Sequence, residues 1–154
     1  MKIIFTFQPK EEFISDLKNS FHEVEFLFYK KIKEAENELP EAEVIVTMGE
    51  DLTDFHIEKS TKCKWIMVAS AGLEKMPFKA IKKRGILVTN ARGIHRIPMA
   101  EFTIGLMLQH AKKLQAVWKQ EEDNVWSRRL PTSELHEASL LILGAGAIEG
   151  EIAR

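Results

Sequence analysis

Residues 64–72 have the sequence KWIMVASAG, an apolar run that ends in small residues. Similar runs, rich in Val, Ile and Phe, recur along the first ninety residues, and helical patterns separate them. This alternation is typical of βαβ units, so we predict an α/β fold with a doubly wound parallel sheet. The predicted strands are residues 2–7, 24–29, 43–47, 64–68 and 86–89, and the predicted helices lie at about residues 9–19, 31–37, 53–59 and 78–83.

Composition restricts the classes of function. The chain has 154 residues, of which 45% are hydrophobic and 29% charged, as in one soluble domain or slightly more. With 22 basic and 23 acidic residues, the net charge of -1 attracts neither nucleic acid nor an anionic membrane, and we expect neither as a partner. Cys63 is the only cysteine, and the histidines lack metal-ligand spacing, so we expect no metal site and a cytoplasmic location.

A long helix is predicted from Pro98 to Trp118. Its apolar residues lie around most of the helix circumference, so it must be buried on more than one side. It is either a core helix of this chain or a helix partly buried against a second subunit. We predict a homodimer formed through this helix.

A glycine-rich turn follows the apolar run at residues 138–143, which we predict to be a strand. Gly144 permits a tight turn, and Gly146 lacks the side chain that would collide with a phosphate. We therefore predict that Gly144, Gly146, Ala147 and Ile148 bind a nucleotide cofactor. A turn without any ligand, or one that holds S-adenosylmethionine in a methyltransferase, fits the same pattern.

The third glycine of the dinucleotide-binding pattern is missing. Its position is occupied by Glu149, and Gly150 comes one residue late. Since a helix rotates by about 100° per residue, Gly150 lies on a different face of the helix. The Glu149 carboxylate also competes with a pyrophosphate for the free amides of the first turn. We expect dinucleotide binding to be weak or absent.

Several segments together resemble the D-isomer-specific 2-hydroxyacid dehydrogenase family. Their order and spacing agree with the family pattern; they are residues 68–74 (VASAGLE), 85–93 (GILVTNARG), 98–103 (PMAEFT) and 141–148 (LILGAGAI). The resemblance implies a flavodoxin-like substrate domain at residues 1–95. It also implies that residues 96–154 begin a Rossmann NAD(P)-binding domain.

The resemblance assigns roles to individual residues. Main-chain amides of Ser70, Ala71 and Gly72 would bind the carboxylate of a small 2-hydroxy or 2-oxo acid, as small residues after a strand leave N–H groups open to an anion. A plain strand-to-helix turn is the alternative interpretation. Thr103 corresponds to a position near the nicotinamide, and the cofactor would be NAD or NADP.

The resemblance leaves the catalytic residues unassigned. The Arg and the His–acid pair of the family lie beyond the position that corresponds to Arg154, so we expect a truncated chain without dehydrogenase activity of its own. His95, between Arg92 and Arg96, is interpreted as a surface residue. A noncatalytic, dimerising flavodoxin-like module is the alternative function.

Overall fold

The computed structural model describes all 154 residues, and the chain forms two compact units, Met1–Arg92 and Gly93–Arg154. None of the helices combines the length and the apolar character that crossing a bilayer requires. The two units are described separately below.

The first unit contains a five-stranded sheet. Its strands, in the spatial order β2-β1-β3-β4-β5, are all parallel, which confirms the predicted α/β fold with a doubly wound sheet. The direction of strand order reverses between β1 and β3. The strands are β1 (Lys2–Phe5), β2 (Glu25–Phe28), β3 (Val44–Thr47), β4 (Trp65–Val68) and β5 (Leu87–Asn90).

Alternating side chains of the strands form the core of this unit. Ile4, Ile45 and Ile66 are paired across three neighbouring strands and are fully buried. They pack in one cluster with Ile57 and Ile81 from the covering helices. The helical segments are α1 (Glu11–Ser20), α2 (Ile32–Ala35), a 3-10 turn (Leu39–Glu41), α3 (Asp54–Lys59) and α4 (Phe78–Arg84).

The loops that follow the strands begin at one edge of the sheet, because all five strands are parallel. Doubly wound sheets bind their ligands at this carboxyl edge, near the reversal of strand order. The loop at residues 69–72 follows β4 directly, so the fold places the predicted substrate loop at this edge.

The second unit is helical and consists of α5 (Arg96–Ala111), α6 (Leu114–Glu122), α7 (Ala147–Ile152) and irregular segments. The prediction of one continuous helix from Pro98 to Trp118 is wrong, because the chain turns at Lys112 and Lys113. Lys113 has a φ of 54°, in the left-handed region, which a right-handed helix of L-residues cannot contain.

The predicted strand at residues 138–143 does not form, and this prediction is also wrong. Its Leu141 and Leu143 are 82% and 85% exposed. A strand needs a neighbour to pair with its N–H and C=O groups, and the second unit contains no strand that could supply one. The turn into α7 after Gly146 does form.

Candidate functional site

The loop after β4 is held by main-chain hydrogen bonds on both sides. Ala69 N donates to Thr47 O of β3 at 2.7 Å. On the other side, Ala91 N donates to Val68 O at 3.1 Å and to Ser70 O at 3.0 Å. The two flanking strands therefore fix the path of the loop at the carboxyl edge.

Two side-chain hydrogen bonds also hold the loop in place. Ser70 Oγ donates to Met48 O at 3.0 Å, and Asn90 Nδ2 donates to Ala71 O at 2.7 Å. The sequence reasoning gave Asn90 no role. The sequence feature that could have indicated such a role is the position of Asn90, a polar amide at the end of an otherwise apolar strand.

The N–H groups of Ser70, Ala71 and Gly72 remain free. None of the three donates a hydrogen bond to any group of the chain, although the carbonyls of Ser70 and Ala71 both accept one. The three residues are partly or fully accessible to solvent. Successive unpaired N–H groups in a fixed loop are suited to binding an anion such as a carboxylate.

Gly49, in the neighbouring loop after β3, packs directly against the last residue of β4. Its φ is +89°, and a Cβ atom at this position would lie 2.7 Å from Val68 Cγ1. Gly49 N donates to Thr47 Oγ1 at 2.9 Å, and the Thr47 hydroxyl donates in turn to Asp51. Glycine is therefore required here both by the backbone and by the packing against Val68, which directly precedes the loop at residues 69–72, a role that the sequence reasoning missed.

A carboxylate lies against the predicted substrate loop. A Cβ atom on Gly72 would lie only 2.6 Å from Oε2 of Glu74. The negative charge of Glu74 opposes the binding of an external anion. The exposed side chain of Glu74 would therefore weaken the binding of a carboxylate at this loop.

The glycine turn of the second unit shows the same combination of free amides and a carboxylate. Gly144 has a φ of +125°, and the N–H groups of Gly146, Ala147 and Ile148 make no hydrogen bond. A Cβ atom on Gly146 would lie 2.6 Å from Glu149 Oε2, and one on Gly144 would lie 3.0 Å from Oε1. The Glu149 carboxylate therefore lies against both glycines.

Thr103, which the resemblance assigns to the cofactor site, lies on α5. Its hydroxyl donates to Met99 O, one turn earlier in the helix, at 2.8 Å. Hydroxyls of Thr in helices commonly make this bond. In the described conformation, the proton of Thr103 is therefore used within the helix.

Of the other titratable side chains, His56 and Cys63 are buried in the first unit, and His95 is exposed in the second. His56 is buried and its Nδ1 accepts the N–H of Thr53 at 3.0 Å, which caps α3. Cys63 is also buried, and burial raises the pKa of its thiol to about 11, so it is a poor nucleophile. His95 is exposed at the start of α5. No three His, Cys, Asp or Glu side chains lie close enough together to hold a metal ion.

Comparisons with known proteins identify relatives that match most of the chain. The chain is 29% identical to D-3-phosphoglycerate dehydrogenase of Archaeoglobus fulgidus over 156 aligned positions, which cover 100% of this chain and 30% of the relative. It is 30% identical to the hydroxypyruvate reductase of Thermotoga maritima over 118 positions, covering 75% of this chain and 39% of the relative. The chain thus spans less than half of either protein.

A solved structure supports the same fold. The D-lactate dehydrogenase of Aquifex aeolicus, crystallised with NAD and lactic acid, superposes with a TM-score of 0.82 at 23% identity, over 99% of this chain and 47% of the other. The family model described as "D-isomer specific 2-hydroxyacid dehydrogenase, catalytic domain" matches residues 3–148. With nearly its whole length matched, the chain belongs to the D-isomer-specific 2-hydroxyacid dehydrogenase family.

Proposed function

We propose that this chain supplies the substrate-binding part of an NAD(P)-dependent oxidoreductase that acts on the CH–OH group of small D-2-hydroxy acids. In this proposal, residues 1–95 form the substrate domain and residues 96–154 begin the cofactor domain. The observation that carries the proposal is the set of three free N–H groups at Ser70, Ala71 and Gly72, on a loop fixed at the carboxyl edge of the sheet. They would bind the substrate carboxylate.

The cofactor would be NAD or NADP, whose nicotinamide accepts or donates the hydride in this class of oxidoreductase. Gly144 and Gly146 fit a pyrophosphate, because they lack side chains and the following amides are free. Glu149 does not fit it, because its carboxylate lies against both glycines. We therefore propose that Gly144, Gly146, Ala147, Ile148 and Thr103 form a cofactor site with weak affinity in this chain.

A titration followed by NMR tests the carboxylate site. The chain is labelled with ¹⁵N and titrated with D-glycerate, and in parallel with glyceramide, which lacks the carboxylate. We expect the amide signals of Ser70, Ala71 and Gly72 to shift with D-glycerate and to remain in place with glyceramide.

Two variants sharpen this titration. Glu74→Gln removes the charge that lies against Gly72, and we expect it to strengthen D-glycerate binding. Glu58→Gln, at an exposed position of α3, removes the same charge elsewhere and should leave the affinity unchanged. Equal shifts with glyceramide, or shifts confined to other residues, would contradict the proposal.

A second candidate function, a noncatalytic dimerising module, is favoured by the apolar surface of the second unit. Seven large apolar side chains of α5 and α6 are at least 40% exposed: Ile97, Met99, Phe102, Leu106, Leu108, Val117 and Trp118. We propose that two chains pair through these helices. Light scattering should give twice the 17.7-kDa chain mass, and Phe102→Asp should shift it towards the monomer. A monomeric mass for the folded wild-type chain would refute the pairing.

A further inference from the structure

A cavity lies at the carboxyl edge of the sheet, at the reversal of strand order between β1 and β3. It encloses about 390 Å³ and is lined by Thr6 after β1, by Met48 and Asp51 after β3, and by the segment that enters α2. None of the residues 70–72 contributes to it. A cavity of this size at a strand-order reversal is a common place for a small ligand in doubly wound folds.

The polar group that points to a ligand is the hydroxyl of Thr6. Thr6 is only 4% exposed, and its Oγ1 has no hydrogen-bond partner in the chain. Buried hydroxyls almost always have a partner. Since Thr6 lines the cavity, a ligand in the cavity could supply the missing partner.

The charges around the cavity define the class of ligand. Lys30, Lys31 and Lys33 line it, and none of their ammonium groups lies within 4 Å of a carboxylate. Of the two acidic residues of the lining, Glu50 is paired with Lys75, whose Nζ lies 3.2 Å from Glu50 Oε1, whereas Asp51 accepts the neutral Thr47 hydroxyl and keeps its negative charge. The lining therefore carries three unpaired positive charges against one unpaired negative charge, and its unpaired charge is positive on balance.

We propose that this cavity, defined by Thr6, Lys30, Lys31, Lys33 and Met48, binds the phosphate group of a small molecule. The Thr6 hydroxyl donates a hydrogen bond to a phosphate oxygen, and the lysines neutralise the dianion. Lysine binds phosphate as a point charge, and three such charges suit a dianion better than a monovalent carboxylate. The site is separate from the proposed carboxylate site. Phosphate binding here can therefore be tested independently of the proposed dehydrogenase function.

The test is an NMR titration of the ¹⁵N-labelled full chain with inorganic phosphate, with methyl phosphate as a probe for an ester-borne group, and with acetate. We expect both phosphates to shift the amides of Thr6, Ile32 and Met48, and acetate to have at most a small effect. A preference for methyl phosphate would assign the ligand to phosphate esters, and a preference for inorganic phosphate would assign it to the free ion.

Variants distinguish a built site from general attraction of anions. Lys31→Ala/Lys33→Ala should weaken phosphate binding at least about tenfold, as expected for the loss of charged hydrogen bonds. The control, Lys82→Ala/Lys83→Ala, removes two exposed lysines of α4 that likewise have no carboxylate partner and should not change the affinity. Thr6→Val, which keeps the shape of the side chain, should also weaken binding.

The proposal is overturned if phosphate causes no shift at these amides, if acetate binds equally well, or if both lysine pairs weaken binding equally. If Thr6→Val fails to fold, the two lysine pairs still decide the question, because all four lysines are exposed.

Discussion

Substituting Gly49 by alanine should destabilise the first unit and displace the loop at residues 69–72. The new Cβ would lie 2.7 Å from Cγ1 of Val68, which is fully buried at the end of β4. Either Val68 or the loop at Gly49 must move. Because Ser70 Oγ is bonded to Met48 O, movement of Gly49 also shifts the loop with the three free amides.

Two contributions to the free energy of unfolding can be separated. An alanine in the left-handed region costs about 1–2 kcal/mol, and overpacking of a filled core typically costs about 1–3 kcal/mol. Gly49→Ala should thus lower stability by about 2–5 kcal/mol, a large part of the roughly 5–15 kcal/mol that stabilises a typical domain. At about 2–4 °C per kcal/mol, Tm should fall by roughly 4–20 °C.

Gly93→Ala is the matched control for the backbone contribution. Gly93 has a φ of +93°, close to the +89° of Gly49, but a Cβ atom there meets nothing within 4 Å. It should therefore show only the loss of about 1–2 kcal/mol. Urea denaturation followed by circular dichroism measures both variants.

The double variant Gly49→Ala/Val68→Ala tests the contact itself. Removal of Val68 Cγ1 removes the clash, so the double variant should lose less stability than the two single variants together, by about 1–3 kcal/mol. If Gly49→Ala is as mild as Gly93→Ala, or if the two substitutions are simply additive, the reasoning about this contact is refuted.

Three further predictions concern the cofactor turn, the buried thiol and catalysis. Glu149→Gln should strengthen NADH binding about fivefold in a fluorescence titration, because a unit charge at about 4 Å contributes about 1 kcal/mol in water. The control is Glu122→Gln, which removes an exposed carboxylate elsewhere. Equal NADH affinities of the two variants would contradict the role of Glu149. Since burial raises the pKa of Cys63 from its ordinary value of 9.0 to about 11, the resulting stabilisation should be present below about pH 9 and lost as pH rises towards 11, by at most about 3 kcal/mol. Cys63→Ala should lack this alkaline loss, and a wild-type chain with the same pH profile as the variant would disprove it. The chain alone should not oxidise NADH with glyoxylate, pyruvate or hydroxypyruvate, because it contains no Arg or His to which we assign a catalytic role, and measurable turnover would overturn this expectation.

The first unit was predictable because its sequence signals are local and agree with its packing. The five apolar runs became five strands, and their ends differ from the predicted ends by at most two residues. Ile4, Ile45 and Ile66 could be identified as core because apolar runs of four to six residues are typical of strands covered on both faces. The position of the loop at residues 69–72 was also predictable, because the loop comes directly after the apolar run at residues 64–68.

The second unit was less predictable because local sequence patterns do not show whether a neighbouring strand is present. The apolar pattern at residues 138–143 indicates a strand, but a strand forms only where another strand pairs with it, and this unit has none. The break at Lys112 and Lys113 carries no Gly or Pro signal. Apolar periodicity alone therefore gave a helix that was too long.

Contacts in the site between residues that are distant in the sequence could not be predicted from the sequence. The bond of Asn90 to Ala71, the contact of Gly49 with Val68 and the unpaired hydroxyl of Thr6 all depend on tertiary packing. By contrast, the position of Glu149 next to the glycines was predictable, since it lies in the first turn of α7.

A crystal structure of the chain soaked with D-glycerate would show whether the main-chain amides of Ser70, Ala71 and Gly72 bind a carboxylate. We expect the carboxylate oxygens within about 2.7–3.2 Å of the main-chain nitrogens of Ser70, Ala71 and Gly72, with Glu74 moved away from Gly72. A D-glycerate molecule bound elsewhere, with these three nitrogens still unpaired and Glu74 still against Gly72, would contradict this expectation.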